Sequence, residues 1–309
     1  MEKKLVVILG PTASGKSDLA IKLAKKFKGE IISADSRQVY KGLNIGSGKI
    51  TKKEMEGIPH HLLNVADPKK NFSVAQFQKL TFKKIKEIQG RNKVPFLVGG
   101  TGFYIQSVVD NIAIPEVKPN WKLRNKLKKK SAKELFLILK KLDPERTSSI
   151  DPKNPRRLIR SIEVVKTTKK PVSKTSQHTQ ECWDVLQIGI KKNPEKIKKS
   201  IQKRLTERLK RGLIEEVKKL HRKGLSWKRL EEFGLEYRFV AQYLQGETPW
   251  KEMAEKLQKA IEHFAKKQNT WFKRDERVKW IKSYYEAQKI IKDFLVERIE
   301  RKETFSLFP

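Results

Sequence analysis

The chain has 309 residues, room for one large domain or two smaller ones, and 37 % apolar content with scattered Trp and Phe marks a folded protein. Against 35 Asp and Glu stand 71 Lys and Arg, a formal charge of +36 that suits a polyanionic partner, nucleic acid before any other. One cysteine, Cys182, excludes internal disulfides and a cysteine-based zinc site, and no apolar run approaches a membrane span, so the cytosol is the expected setting and no membrane the expected partner.

Leu5 to Leu9 is an unbroken apolar, mostly β-branched run, the pattern of a strand buried on both faces. Gly10, Pro11, Thr12, Ala13, Ser14, Gly15, Lys16 and Ser17 follow and complete G-x-x-x-x-G-K-[ST], the phosphate-cradling turn between a strand and a helix. Its glycines let backbone N–H groups close round a phosphate, Lys16 adds a full charge, and Ser17 offers a hydroxyl to Mg2+. The helix after it carries Leu19, Leu23, Ala24 and Phe27 on one face, with Gly29 as its expected stop. Glu30 to Ser33 reads as a second strand ending at Asp35-Ser36-Arg37-Gln38, and 42–61 as loop. Ser73 N-caps a helix to about Gln89, Val94 to Val98 is a further buried strand, and Gly99-Gly100-Thr101 leads into a helix from about Phe103. Strands alternating with helices imply a parallel sheet with function at the strands' carboxyl ends, where all three candidate segments lie.

The pattern changes near Ile112. Between Pro115 and Asp184 no strand is evident and 19 Lys and Arg outnumber 8 Asp and Glu, which predicts a basic, all-helical insertion. Its clearest helices are Ser131 to Leu142 and Arg156 to Val165, while Thr167 to Glu181 is polar and expected to be mobile. Strand-like Val185 to Ile190 returns to the sheet, and Pro194 opens a helix whose stripe of Ile197, Ile201, Leu205, Leu209, Leu213 and Val217 runs to Gly224. A long helix from Trp250 to about Lys273 shows Met253, Leu257, Ile261 and Phe264 on its apolar side. Val278 to Ile281 reads as a strand and Tyr284 to Glu300 as a closing helix. The fold class is therefore α/β: a P-loop NTPase-like parallel sheet flanked by helices over 1–111 and 185–309, with a helical domain inserted at 112–184.

GPTASGKS, ADSRQVYKGLNIGSGK, PHHLLNVADPKKNFSVAQF, PFLVGGTGFYIQ, LDPERTSSIDPKNPRRLIRSIEVVKTT, FGLEYRFVAQYLQG and AKKQNTWFKR, in this order and spacing, resemble the tRNA dimethylallyltransferases from Leu5 to about Arg274. The resemblance implies transfer of a dimethylallyl group from its diphosphate to N6 of the adenosine 3′ to the anticodon. The implied partners are dimethylallyl diphosphate and the tRNA anticodon stem-loop, met by a monomeric enzyme with Mg2+ as cofactor. It implies Asp35 as the base that takes the amine proton, Thr101 against the nucleotide, and Lys16 and Arg238 on the diphosphate. Ser36, Arg37 and Gln38 would hold the target base, and Arg124, Arg156, Arg157, Leu158, Ile159 and Arg160 fall at tRNA-contacting positions. Without the resemblance, Asp35 is as well read as a cap or an outer ligand of magnesium, Thr101 as a helix N-cap, and Arg238 and the basic stretches as solvated helix surface. The chain departs from the commoner Gly-Tyr-Arg-Gln at Glu236-Tyr237-Arg238-Phe239, and from an Arg-Gln pair at Glu262-His263. His60-His61 fits the family without an evident task, since adjacent side chains rarely share one ion.

A small-molecule or nucleotide kinase shares the loop, the sheet and an aspartate base, but gives no reason for the charge or the insertion. An RNA-binding protein with a nucleotide switch explains the charge alone. Prenyl transfer to free adenine nucleotides leaves the basic insertion without a task.

Overall fold

The computed structural model describes residues 3–115, 117–172 and 183–296; Cys182 and most of the polar stretch after Thr167 fall outside them. Contacts divide the chain into one unit of Met1–Val109 with Cys182–Pro309 and a second of Asp110–Glu181. The first holds six parallel strands in the order β3-β2-β4-β1-β5-β6. These are β1 (Lys4–Leu9), β2 (Gly29–Ala34), β3 (His60–His61), β4 (Val94–Gly99), β5 (Asp184–Ile190) and β6 (Val278–Ile281).

β1 is central, with Val6 opposite Phe96 of β4 and Leu186 of β5. Alternate side chains of a strand face opposite sides, so Leu5, Val7 and Leu9 enter one apolar layer and Val6 and Ile8 the other. The first layer is covered by α2 (Val74–Gly90) and α3 (Gly102–Val109), the second by α1 (Lys16–Lys26) and α13 (Tyr284–Val296). With both faces covered, continuous apolar strands are what the sheet requires. Ser73 caps α2 in a full capping box with Gln76.

A third apolar cluster packs Val39, Tyr40 and Leu43, from the chain after β2, against the remaining helices. These are α8 (Pro194–Lys210), α9 (Leu213–Arg222), α10 (Trp227–Glu232), α11 (Leu235–Leu244) and α12 (Trp250–Phe272). The second unit contains α4 (Trp121–Leu127), α5 (Ala132–Leu142), α6 (Pro144–Ser149) and α7 (Pro155–Thr168) around Leu135, Leu139, Leu158 and Ile162.

Several expectations change. α1 stops at Lys26, Lys28 takes the left-handed turn at φ +50°, and Gly29 already belongs to β2. The loop 42–61 closes in a two-residue edge strand, His60–His61 beside Ile31 and Ile32. The apolar stripe from Ile197 to Val217 is two helices, because Gly212 at φ +95° turns the chain between α8 and α9. On α12 the buried stripe continues through Ala265, Gln268 and Phe272, leaving Phe264 39 % exposed.

Candidate active site

The loop from Gly10 to Ser17 joins β1 to α1 at the carboxyl edge of the sheet. Ala13 at φ +61° and Gly15 at φ +91° are its left-handed turns, the conformation that gathers backbone N–H groups into an anion-binding hollow. The first N–H groups of α1 have no partner within the helix and add its positive end to the same place. Ser14 Oγ is buried with no hydrogen-bond partner, an orphan that a phosphate oxygen would satisfy. Lys16 Nζ donates to Pro11 O at 3.2 Å and Lys192 Nζ to Ala13 O at 3.3 Å.

Asp35 follows β2, half-buried. Its Oδ1 accepts from Arg37 N at 2.8 Å and Gln38 N at 3.2 Å, which caps the turn and leaves Oδ2 out of those bonds. Thr101, after β4, donates its N–H to Ala34 O at 3.2 Å and accepts from Ser36 N on Oγ1 at 3.0 Å. The Gly-Gly-Thr turn therefore fixes the backbone on either side of Asp35. Gln38 accepts from Ser33 Oγ at 3.0 Å and donates to Gly48 O at 3.2 Å, so its amide braces the loop after β2.

That loop is also held from α9 and α11. The Glu216 carboxylate accepts from the N–H groups of Asn44, Ile45 and Gly46 at 3.1, 2.7 and 3.0 Å and from Tyr237 Oη at 2.8 Å. Burial and the Glu216 carboxylate push the Tyr237 hydroxyl well above its ordinary pKa, so it stays a donor. Arg208 on α8 donates to Gly46 O at 3.2 Å and pairs with Glu236 on α11. Burial raises the Glu236 carboxyl, against the pull of Arg208.

The electrostatics tie these pieces together. Burial, with help from Arg204 and Arg208, lowers the Lys16 ammonium to about 8, while Asp35 opposes the shift. Asp35, Arg204 and Arg208 thus stand within electrostatic reach of Lys16, with the Glu236 carboxyl paired to Arg208 at the margin of the group. Such a cluster is built for a multiply charged anion.

A family model described as IPP transferase matches residues 38–275. The chain belongs to the IPP transferase family. The tRNA dimethylallyltransferase 1 of Syntrophus aciditrophicus is 44 % identical over 298 residues, covering 94 % of this chain and 97 % of that one. Among solved structures, the tRNA isopentenylpyrophosphate transferase of Bacillus halodurans superposes with a TM-score of 0.72 at 33 % identity, covering 99 % of this chain and 100 % of that one. A eukaryotic dimethylallyltransferase described as acting on tRNA gives 0.80 at 28 % identity, over 96 % of this chain and 80 % of that one. The parallel sheet flanked by helices is therefore that of the IPP transferases.

The expected residues of this transferase fall into distinct places. Gly10 to Ser17, Asp35 to Gln38 and Thr101 share one edge of the sheet. Arg238 lies exposed on α11, its Nε 3.4 Å from Glu231 O: Tyr237 faces the core, and the next helical residue points about 100° away. In the helical unit, Leu158 and Ile159 are core residues. Arg124 binds the buried Glu163 with Nε and Nη2, both at 2.7 Å, and Arg160 adds a bond at 2.6 Å. Arg156 and Arg157 remain as the exposed arginines of that stretch. His61 Nε2 meets Glu30 Oε2 at 2.7 Å and Arg91 Nη2 meets the same oxygen at 2.7 Å, so His61 belongs to a clasp on the sheet edge, while His60 Nδ1 meets Ile58 O at 2.8 Å. Among the described residues no cluster of His, Cys, Asp or Glu could hold a metal by itself. Arg204 and Arg208 belong to the basic face that the sequence shows along α8, and their i, i+4 spacing is the local signal for them, while Glu216 and Gln268 have none.

Proposed function

We propose that this chain transfers a dimethylallyl group from dimethylallyl diphosphate to N6 of the adenosine adjacent, on the 3′ side, to the tRNA anticodon. The observation that carries this reading is the meeting, at one edge of the sheet, of the loop bearing Lys16 with the turn bearing Asp35. The diphosphate lies against the N–H groups at the start of α1, from Gly15 to Ser17, with Lys16 and the arginines of α8 about it. As the amine nitrogen bonds to the allylic carbon, the bond from that carbon to the bridging oxygen breaks and its electron pair leaves with the diphosphate. Fixed N–H donors and cations meet that charge, and each such donor contributes about 3 kcal/mol. An adenine amine is a weak nucleophile, so Asp35 Oδ2 accepts its proton as the new bond forms and positive charge develops on the nitrogen. An anticodon-loop base reaches this edge only when turned out of its stack, at a cost of a few kcal/mol.

Ser17 is exposed at the start of α1, which fits magnesium, an ion that takes one or two protein oxygens and fills its shell from phosphates and water. When bound, it neutralises charge on the departing diphosphate. Among the described residues no helix is long and apolar enough to cross a membrane, and the single cysteine suits a reducing cytosol.

The test is incubation with labelled dimethylallyl diphosphate, magnesium and tRNA, beside a parallel reaction with labelled ATP. Label from the prenyl donor should enter the tRNA and none from ATP. Phosphoryl transfer from ATP without prenylation would overturn the proposal in favour of a kinase.

A further inference from the structure

Gln268 is a buried amide about one turn before the end of α12, 8 % exposed among Ala265, Phe272 and their apolar neighbours. A buried amide is retained only where both of its ends are bonded. Its Oε1 accepts from Thr12 N, inside the phosphate loop, at 2.8 Å. Its Nε2 donates to Gly100 O, inside the Gly-Gly-Thr turn, at 2.7 Å. A Cβ at residue 100 would collide with that same Nε2, so the turn approaches Gln268 as closely as only glycine allows. From Gly100 the chain passes directly to Thr101, whose Oγ1 fixes Ser36 N beside Asp35. One side chain thus connects the loop that grips the leaving group to the turn that braces the backbone beside the base.

We propose that Gln268 is a positioning residue for the transfer, setting the spacing between the diphosphate and the Asp35–Thr101 side of the cleft. This rests on the prenyl-transfer reading of the site. Gln268 touches neither substrate. Its effect is on register: reacting atoms must lie about 3–3.5 Å apart, and a displacement of about 1 Å costs about 100-fold in rate. The amide is suited to this because it accepts at one end and donates at the other, so neither a carboxylate nor an apolar chain of equal length can replace both bonds.

The experiment is single-turnover and steady-state kinetics on the full chain with dimethylallyl diphosphate and an anticodon stem-loop RNA. The variants are Gln268→Met, Gln268→Glu, Gly100→Ala and the Gln268→Met/Gly100→Ala double variant. Gln268→Met should lower the single-turnover rate about 100-fold with the KM for each substrate within about twofold of wild type. Gln268→Glu, which keeps the acceptor for Thr12 N and loses the donor, should fall between. Gly100→Ala should lower the rate, and the double variant should be no slower than the worse single one, because both act through one contact. A Gln268→Met enzyme with wild-type rate, or a rate loss matched by equal loss of folded protein or by raised KM, overturns the proposal. Additive losses in the double variant overturn it too. A wild-type chain that transfers no prenyl group defeats the functional reading itself, a different result.

Discussion

Asp35 gives its two oxygens different work. Oδ1 is taken by the N–H groups of Arg37 and Gln38, a bond set that an asparagine oxygen could also accept. Only the carboxylate can take up a proton through Oδ2. Asp35→Asn should therefore keep the turn and RNA binding within about twofold while the single-turnover rate falls about 100- to 10,000-fold. A near-normal rate would refute the base assignment. Lys16 gives the companion prediction. Its ammonium is lowered to about 8, burial first and Arg204 second, so the free enzyme loses this charge as pH rises through that value. The charged form binds diphosphate, and binding must pull its pKa back up. The kcat/KM for dimethylallyl diphosphate should fall above about pH 8, with kcat at saturation shifted to higher pH. Lys16→Ala should abolish that alkaline limb along with most of the activity.

At the scale of elements, the parts written locally in the sequence were legible and those made by packing were not. The loop after β1, the turn after β2 and the Gly-Gly-Thr turn after β4 each follow a buried apolar strand, so their meeting at one edge followed from topology. Gln268 stands 256 residues from Thr12, and nothing near it in sequence announces that contact. The stripe from Ile197 to Val217 keeps helical spacing across Gly212, so periodicity alone could not show the turn there. The arginines of the helical insertion make the same point. A basic run looks like a surface for RNA, yet Arg124 and Arg160 close on Glu163, whose side chain is 0 % exposed. Burial raises that carboxyl, but bonds from Arg124, Arg160 and Asn120 N outweigh it and hold the pKa below the ordinary glutamate value. The folded pKa is depressed, so this stability is present above the unfolded value and disappears as pH falls through the folded one. Glu163→Ala strands two paired arginines and should cost about 3 kcal/mol, seen as early urea unfolding and faster hydrogen exchange confined to α4–α7.

At the scale of the whole molecule, +36 attracts any polyanion, so affinity for RNA says little by itself about where the RNA lies. What discriminates is the salt dependence residue by residue. Of the arginines expected at the RNA, Arg156 and Arg157 are exposed at the start of α7 with no buried carboxylate to occupy them, whereas Arg124 and Arg160 brace the helical core. A guanidinium that neutralises a phosphate releases counterion, worth about 0.7–0.9 in the slope of log K against log salt. Arg156→Ala and Arg157→Ala should each flatten that slope by about this amount and raise the KM for the stem-loop RNA, with protein stability held within about 0.5 kcal/mol. Arg160→Ala should instead lower stability, through the charge left on Glu163, and change the slope less. Equal slopes for all three variants would mean that the basic face of α7 is solvated surface and that the RNA is gripped elsewhere.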